Sequence, residues 1–139
     1  MQLGWIGLGH MGVPMAKRLL DGGHDLIVYN RTYEKTAPLV EKGATAVKEA
    51  RDAVRQSDIL FVMLADGPAV ASVLENVKED LSGKTIVNLS TISPDETKEM
   101  ARLVEDSGGT YLESPVSGSV PVAENGQLVL LAGGDAKVI

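Results

Sequence analysis

Short apolar runs and helically spaced apolar residues alternate along this chain from one end to the other. Residues 2–6 read as a strand, after which Met11, Met15, Leu19 and Leu20 recur on one helical face up to the stop signal Gly22-Gly23. Further strands are predicted at 26–29, weakly at 44–47, then at 59–64, 85–88, 110–113 and 127–132. Between them, Val70, Val73, Leu74 and Val77 mark one amphipathic helix, and Met100, Leu103 and Val104 mark another. The second opens on Ser93-Pro94-Asp95-Glu96, with Ser93 as N-cap, Pro94 at the first helical position and Glu96 completing a capping box, and it stops at Gly108. A helix over 34–42 carries Pro38 within it, so it must start late or kink. Regular alternation of this kind favours an α/β sheet with helices on both faces over a bundle or a sandwich.

The first strand ends in Gly7-Leu8-Gly9-His10-Met11-Gly12, and a helix follows directly. That is the context in which a glycine-rich turn binds a dinucleotide. Gly7 permits the sharp turn, Gly9 has no side chain where backbone must approach a pyrophosphate, and Gly12 lets the helix pack close to the sheet. Phosphates then face unpaired N–H groups at the positive end of the helix. Pro14 falls in the first helical turn, where its missing N–H does no harm. The glycines alone are a weak signal, but their place between a strand and a helix strengthens it. The fold expected is a Rossmann-type, doubly wound, mostly parallel sheet forming a single domain over residues 1–139.

Size and composition agree with that reading and narrow it. A chain of 139 residues, 44% of them hydrophobic, buries one core and has no room for a second full domain. A net charge of −6 without a basic run argues against nucleic acid or an anionic membrane as partner, so any anion must be held locally. With no cysteine, disulfides, thiolate metal sites and cysteine nucleophiles are excluded, and a cytoplasmic location is expected. The longest apolar run, residues 59–65, is too short to span a bilayer, and no basic leader precedes the first strand. Of the two histidines, His10 lies in the glycine turn and His24 stands apart, so no metal site is expected. Glu41, Glu49, Asp52, Glu75, Glu79 and Asp80 read as solubilising charge on exposed helix faces.

In an open parallel sheet, ligands gather at the carboxyl ends of the strands. Those ends carry the glycine turn, Asn30-Arg31-Thr32, Ala65-Asp66-Gly67, Ser90-Thr91 and residues 114–119. An NAD site usually has an acid about 20 residues beyond the glycines to accept from the ribose 2′-OH. Here Asn30, Arg31 and Thr32 offer an amide, a guanidinium and a hydroxyl instead, which suit a 2′-phosphate and favour NADP(H) over NAD(H). The plainer alternative is that Asn30 starts a turn and Arg31 is merely solvated. Ser114, Ser117 and Ser119 resemble a polar ligand loop, but the Gly-x-Ser-x-Gly elbow of a hydrolase nucleophile is missing. A turn with satisfied hydroxyls explains them equally well.

Five motifs in order extend this reading: the segment from Gly7 through Val13-Pro14-Met15-Ala16, Asn30-Arg31-Thr32, Met63-Leu64-Ala65-Asp66, Asn88-Leu89-Ser90-Thr91, and Pro115-Val116-Ser117-Gly118-Ser119. Together they resemble the β-hydroxyacid dehydrogenases, a group that includes 3-hydroxyisobutyrate dehydrogenase and the glyoxylate/succinic semialdehyde reductases and is related to 6-phosphogluconate dehydrogenase. The stretch 115–132, with Ala123, Glu124, Gly126-Gln127-Leu128 and then Gly134-Asp135, is most similar to the glyoxylate/succinic semialdehyde reductase branch. The resemblance implies that Gly7, Leu8, Gly9, His10, Met11 and Gly12 hold the pyrophosphate and that Asn30, Arg31 and Thr32 hold the 2′-phosphate. Met63, Leu64, Ala65 and Thr91 would line the adenosine-to-nicotinamide region, and Ser117, Gly118 and Ser119 the carboxylate of a small hydroxyacid or aldehyde acid.

Arg18 departs from the family's Met-Ala-x-Asn-Leu helix segment. The family's general acid/base is a lysine on a helix after this domain, beside an asparagine that anchors substrate, and neither has a counterpart before Ile139. The resemblance thus implies the cofactor half of an oxidoreductase, with no catalytic residue within the chain, no metal, and the family's C-terminal helical domain absent. Apolar surface near residues 115–122 and 128–131 would then stand uncovered and favour a homo-oligomer. Two other readings share the glycines. An imine reductase cofactor domain has the same Asn-Arg-Thr turn, although the 115–119 loop speaks against it, and a non-catalytic nucleotide-binding module has the same fold.

Overall fold

The computed structural model describes residues 2–8, 12–64, 66–90, 92–113, 116–117 and 129–130. Six strands, β1 (Leu3–Ile6), β2 (Leu26–Tyr29), β3 (Thr45–Ala46), β4 (Ile59–Val62), β5 (Thr85–Asn88) and β6 (Thr110–Glu113), form one parallel sheet in the order β3-β2-β1-β4-β5-β6. The helices between them are α1 (Gly12–Asp21), α2 (Ala37–Val40), α3 (Ala50–Arg55), α4 (Gly67–Val77) and α5 (Pro94–Asp106). This is the doubly wound Rossmann-like arrangement expected from the alternation. Among the described residues, no helix is long and apolar enough to cross a membrane.

Side chains alternate between the faces of the sheet, so each strand feeds two cores. Ile6, Ile27, Leu60, Val62 and Ile86 pack against Ala53 and Val54 of α3, Val70, Leu74 and Val77 of α4, and Met100 and Val104 of α5. On the other face, Leu3, Trp5, Leu26 and Val28 pack against Ala16 of α1 and Leu39 of α2. The second cover is thinner: Ile59, Phe61 and Val87 on that face are only half-buried.

Local chemistry sets the helix ends. α1 terminates in a Schellman motif, with the His24 N–H donating to the Leu19 carbonyl at 3.3 Å and Gly23 to Leu20 at 3.0 Å, while Gly23 adopts φ +87. The capping box of α5 forms as predicted: the Glu96 N–H donates to Ser93 Oγ (3.2 Å) and the Ser93 N–H to Glu96 Oε1 (2.9 Å). The helix ends where Gly108 begins the turn, with Gly109 donating back to Val104 at 2.9 Å. Around Pro38 the late start is the accommodation that appears: a 3-10 turn over Tyr33–Thr36 comes first, and α2 then begins at Ala37 with proline in its first turn.

Several expectations are revised. The innermost residues of α1 are small, Gly12, Pro14 and Ala16, whereas Met15, Leu19 and Leu20 are half-buried at the edge, because the helix begins hard against the sheet. Met11 lies outside the described residues. Arg18, the departure from the family pattern, is exposed and disturbs no packing. β4 stops at Val62 because the Leu64 N–H leaves the ladder and donates to Ser90 Oγ at 2.8 Å. The strand predicted over 127–132 is described only at β8 (Val129–Leu130), which pairs antiparallel with β7 (Val116–Ser117), a segment read from sequence as loop; the pair is a sheet of its own. Asp80 is not free surface charge: its carboxylate is 17% exposed and meets Arg55 at 3.0 Å and Arg51 at 3.8 Å. Asp52 is half-buried as well.

Candidate dinucleotide site

The strand order reverses between β1 and β4, so the connections leaving these two strands run to opposite faces of the sheet, α1 to one and α4 to the other, and leave a crevice at the carboxyl ends. Gly7 stands at its base with φ +96, and a Cβ there would collide with the Met63 carbonyl oxygen. Only glycine satisfies both conditions. A Cβ on Gly12 would fall 2.8 Å from the Gly7 carbonyl oxygen, so glycine is also what lets α1 start this close to the strand. The N–H of Gly7 donates to the Tyr29 carbonyl at 3.1 Å, tying the turn to β2. Gly9, His10 and Met11 lie outside the described residues.

At the end of β2, Asn30 is buried, 9% exposed, and both ends of its amide are engaged: Oδ1 accepts from the Leu8 N–H at 2.8 Å, and Nδ2 donates to the Thr32 carbonyl at 2.9 Å. Arg31 and Thr32 beside it are exposed. Arg31 helps to line a cavity of about 450 Å³, together with Gly7, Tyr29 and Asn30 on one side and Leu64 on another. The far wall is the face of α4 presented by Ala69, Ser72, Val73 and Asn76. Among the described residues, Arg31 is the only charged one lining it. The α4 wall was not recognised in the sequence, where Val73 counted toward the core stripe. The available signal was the 69, 72, 73, 76 spacing, which marks one helical face beside the stripe of Val70, Leu74 and Val77.

On the β4–β5 side, buried polar groups link the strand ends in series. The Leu64 N–H donates to Ser90 Oγ (2.8 Å), the Ser90 N–H to Asn88 Oδ1 (3.0 Å), and Asn88 Nδ2 to the Tyr111 hydroxyl (3.0 Å). Burial raises the Tyr111 pKa above its ordinary value, the Asn88 hydrogen bond opposes that rise, and the Glu113 carboxylate adds to it. Met63 and Leu64 are half-buried at this edge; Ala65 and Thr91 lie outside the described residues. Asp66, a candidate by position, caps α4 by accepting from the Ala69 N–H at 2.9 Å. Ser117 is described through its backbone, paired with Val129 in the β7–β8 ladder, and Gly118 and Ser119 lie outside the described residues.

Gly7, Leu8, Gly12, Asn30, Arg31 and Leu64 are thus gathered at one crevice. Among the described residues its parts are Gly7 and Gly12 at the two ends of the turn, the Arg31 cation at the cavity wall and an apolar and amide-bearing helix face. Among the described residues, no group of three or more His, Asp or Glu is placed to hold a metal ion.

The chain is similar to known proteins. The chain is 48% identical over 143 residues to 2-hydroxy-3-oxopropionate reductase of Escherichia coli (strain K12), covering 99% of this chain and 48% of that protein. Among solved structures it superposes on Mycobacterium tuberculosis 3-hydroxyisobutyrate dehydrogenase with L-serine, with a TM-score of 0.93 and 28% identity over 98% of this chain and 47% of that one. It also superposes on an imine reductase from Myxococcus stipitatus in complex with NADP+, with a TM-score of 0.84 and 32% identity, covering 88% of this chain and 43% of that one. The chain therefore spans about half the length of these relatives. Residues 2–139 match the family described as the NAD binding domain of 6-phosphogluconate dehydrogenase, and the chain belongs to that family.

Proposed function

We propose that this chain is the NADP(H)-binding domain of a cytoplasmic oxidoreductase that interconverts a small aldehyde acid and its hydroxyacid. The observation that carries the cofactor preference is Arg31, which among the described residues is the only charged one lining the cavity; no carboxylate among those described lining residues is placed to accept from a ribose 2′-OH or to repel a 2′-phosphate. The chain also fits the rest of the dinucleotide: glycines stand at the two positions where a Cβ would close the turn, and Leu64, Ala69 and Val73 give the cavity an apolar side. When bound, the nicotinamide supplies or accepts a hydride. In this reading Gly7 to Gly12 bind the pyrophosphate, Arg31 and Thr32 the 2′-phosphate, Met63 to Ala65 and Thr91 the region toward the nicotinamide, and Ser117 to Ser119 the substrate carboxylate. Asn30 serves in this reading as a brace for the Arg31–Thr32 segment, its Oδ1 accepting from the Leu8 N–H and its Nδ2 donating to the Thr32 carbonyl. The 48% identity to 2-hydroxy-3-oxopropionate reductase supports the hydroxyacid class, and the imine reductase likeness makes imines the second class to test.

Calorimetric titration of the wild type and Arg31→Ala with NADPH and NADH tests the cofactor assignment. Loss of one charge-assisted contact is worth roughly 1.5–3 kcal/mol, so Arg31→Ala should weaken NADPH about ten- to a hundredfold and leave NADH nearly unchanged. Equal affinities of the wild type for the two would refute the preference. With NADPH bound, a small hydroxyacid should stabilise the wild type further but not Ser117→Ala; stabilisation by an imine alone would favour the second class.

A further inference from the structure

The Gly7–Leu8 peptide is held from both sides by side chains. A trans peptide directs its C=O and N–H to opposite sides, and no cis bond occurs among the described residues. On the inner side, Trp5 Nε1 donates to the Gly7 carbonyl at 2.7 Å, a buried hydrogen bond. On the outer side, the Leu8 N–H donates to Asn30 Oδ1 at 2.8 Å. Each partner is itself fixed. The Trp5 ring is 1% exposed and stacks on Phe61 with centroids 5.5 Å apart at 26°, and Asn30 Nδ2 donates to the Thr32 carbonyl. A phenylalanine at position 5 would fill the same aromatic slot but could not bond the carbonyl.

We propose that Trp5 and Asn30 are positioning residues that clamp this peptide, the first of the glycine turn, from opposite sides and so fix the turn's orientation before a dinucleotide arrives. Asn30 also ties that orientation to the Arg31–Thr32 loop, so the pyrophosphate end and the 2′-phosphate end of the site are set by one amide. The clamp's purpose rests on the cofactor reading above; its existence does not. A peptide free to rotate must be ordered on binding, and that cost falls equally on NADPH and NADH because both carry the pyrophosphate.

Two measurements on Trp5→Phe, Asn30→Ala and the double variant test it. The first is hydrogen exchange at the Leu8 amide without cofactor. Trp5→Phe leaves the Asn30 acceptor in place, yet it should speed Leu8 exchange by about tenfold while the Val28 amide in the sheet is unchanged. The second is titration with both dinucleotides. Each single variant should weaken NADPH and NADH by the same factor, about three- to tenfold, the equivalent of one net hydrogen bond. The double variant should be no more than about twofold worse than the weaker single, since both side chains act on one peptide. Unchanged Leu8 exchange in Trp5→Phe overturns the clamp. Losses that multiply in the double variant, or an Asn30→Ala loss confined to NADPH, overturn the joint role. If the wild type binds neither dinucleotide, the cofactor reading and the clamp's purpose fail together, and Leu8 exchange still decides whether the clamp exists.

Discussion

At the scale of single residues, the site rests on groups whose polar atoms are answered within the protein. Tyr111 illustrates this: its buried hydroxyl accepts from Asn88 Nδ2, and its pKa stands above the ordinary value of about 10. A raised folded-state pKa means that the native protein holds the proton more tightly than the unfolded chain. The associated stability is complete below the unfolded value and is lost as pH climbs through it toward the folded one. Urea melts of the wild type should therefore show stability falling above about pH 10, and Tyr111→Phe should flatten that part of the profile. At neutral pH the same variant leaves Asn88 Nδ2 without its acceptor and should cost about 1–3 kcal/mol. An unchanged alkaline profile in Tyr111→Phe would show that other groups govern it. Asp21, by contrast, has its pKa lowered by the hydrogen bond from Lys42, but it is exposed and belongs to the solvated surface.

At the scale of elements, helix ends do more than stop helices, because those after β1, β4 and β5 begin at the ligand edge of the sheet. The N-terminus of α5 lies against that of α4: a Cβ on Gly67 would collide with the Glu96 carboxylate, the same group that closes the α5 capping box. Ser93→Ala removes half of the box and should cost about 0.5–2 kcal/mol. Ser93→Asp retains an acceptor at the cap and should recover most of it, which denaturation midpoints of the three proteins would reveal. Equal midpoints would mean that tertiary packing alone fixes the start of α5. The pairing of β7 with β8 is the element the alternating pattern did not foresee, since two residues of alternation carry no period to read.

For the molecule as a whole, the two faces of the sheet are unequally covered. α3, α4 and α5 bury Leu60, Val62 and Ile86 completely, whereas Ile59, Phe61 and Val87 on the α1–α2 face stay half-buried. Half-buried apolar residues on one sheet face favour association, so the 139-residue chain should sediment increasingly as oligomers with rising concentration. A single species at all concentrations would refute this. The chain spans about half of its relatives, and the reductase activity is proposed for the whole protein. On its own the chain is expected to gain thermal stability from NADPH, worth about 2.7 kcal/mol at a hundredfold excess over Kd. No NADPH oxidation with glyoxylate or succinic semialdehyde is expected above the buffer rate, and steady oxidation would reveal a proton donor among these residues.

The sequence alone determined what depends on near neighbours. The strand at 26–29, the Gly22-Gly23 stop, the Ser93–Glu96 box and the late helix start at Pro38 all arise from contacts within a few residues, and each is present. The glycine turn and the Asn30-Arg31-Thr32 segment were legible for the same reason, as local motifs with a mechanism. What only the tertiary structure decided involves residues distant in the chain. Trp5, Gly7 and Asn30 meet because β1 and β2 are parallel neighbours, and Leu64, Ser90, Asn88 and Tyr111 are linked because β4, β5 and β6 lie side by side. The α4 wall of the cavity was hidden because a helix face beside a core stripe looks like solvent until another strand end is set opposite it. The bracing bonds of Asn30 were hidden for the same physical reason: its partners are 22 residues away at Leu8 and two residues away at Thr32, and no local pattern encodes the first.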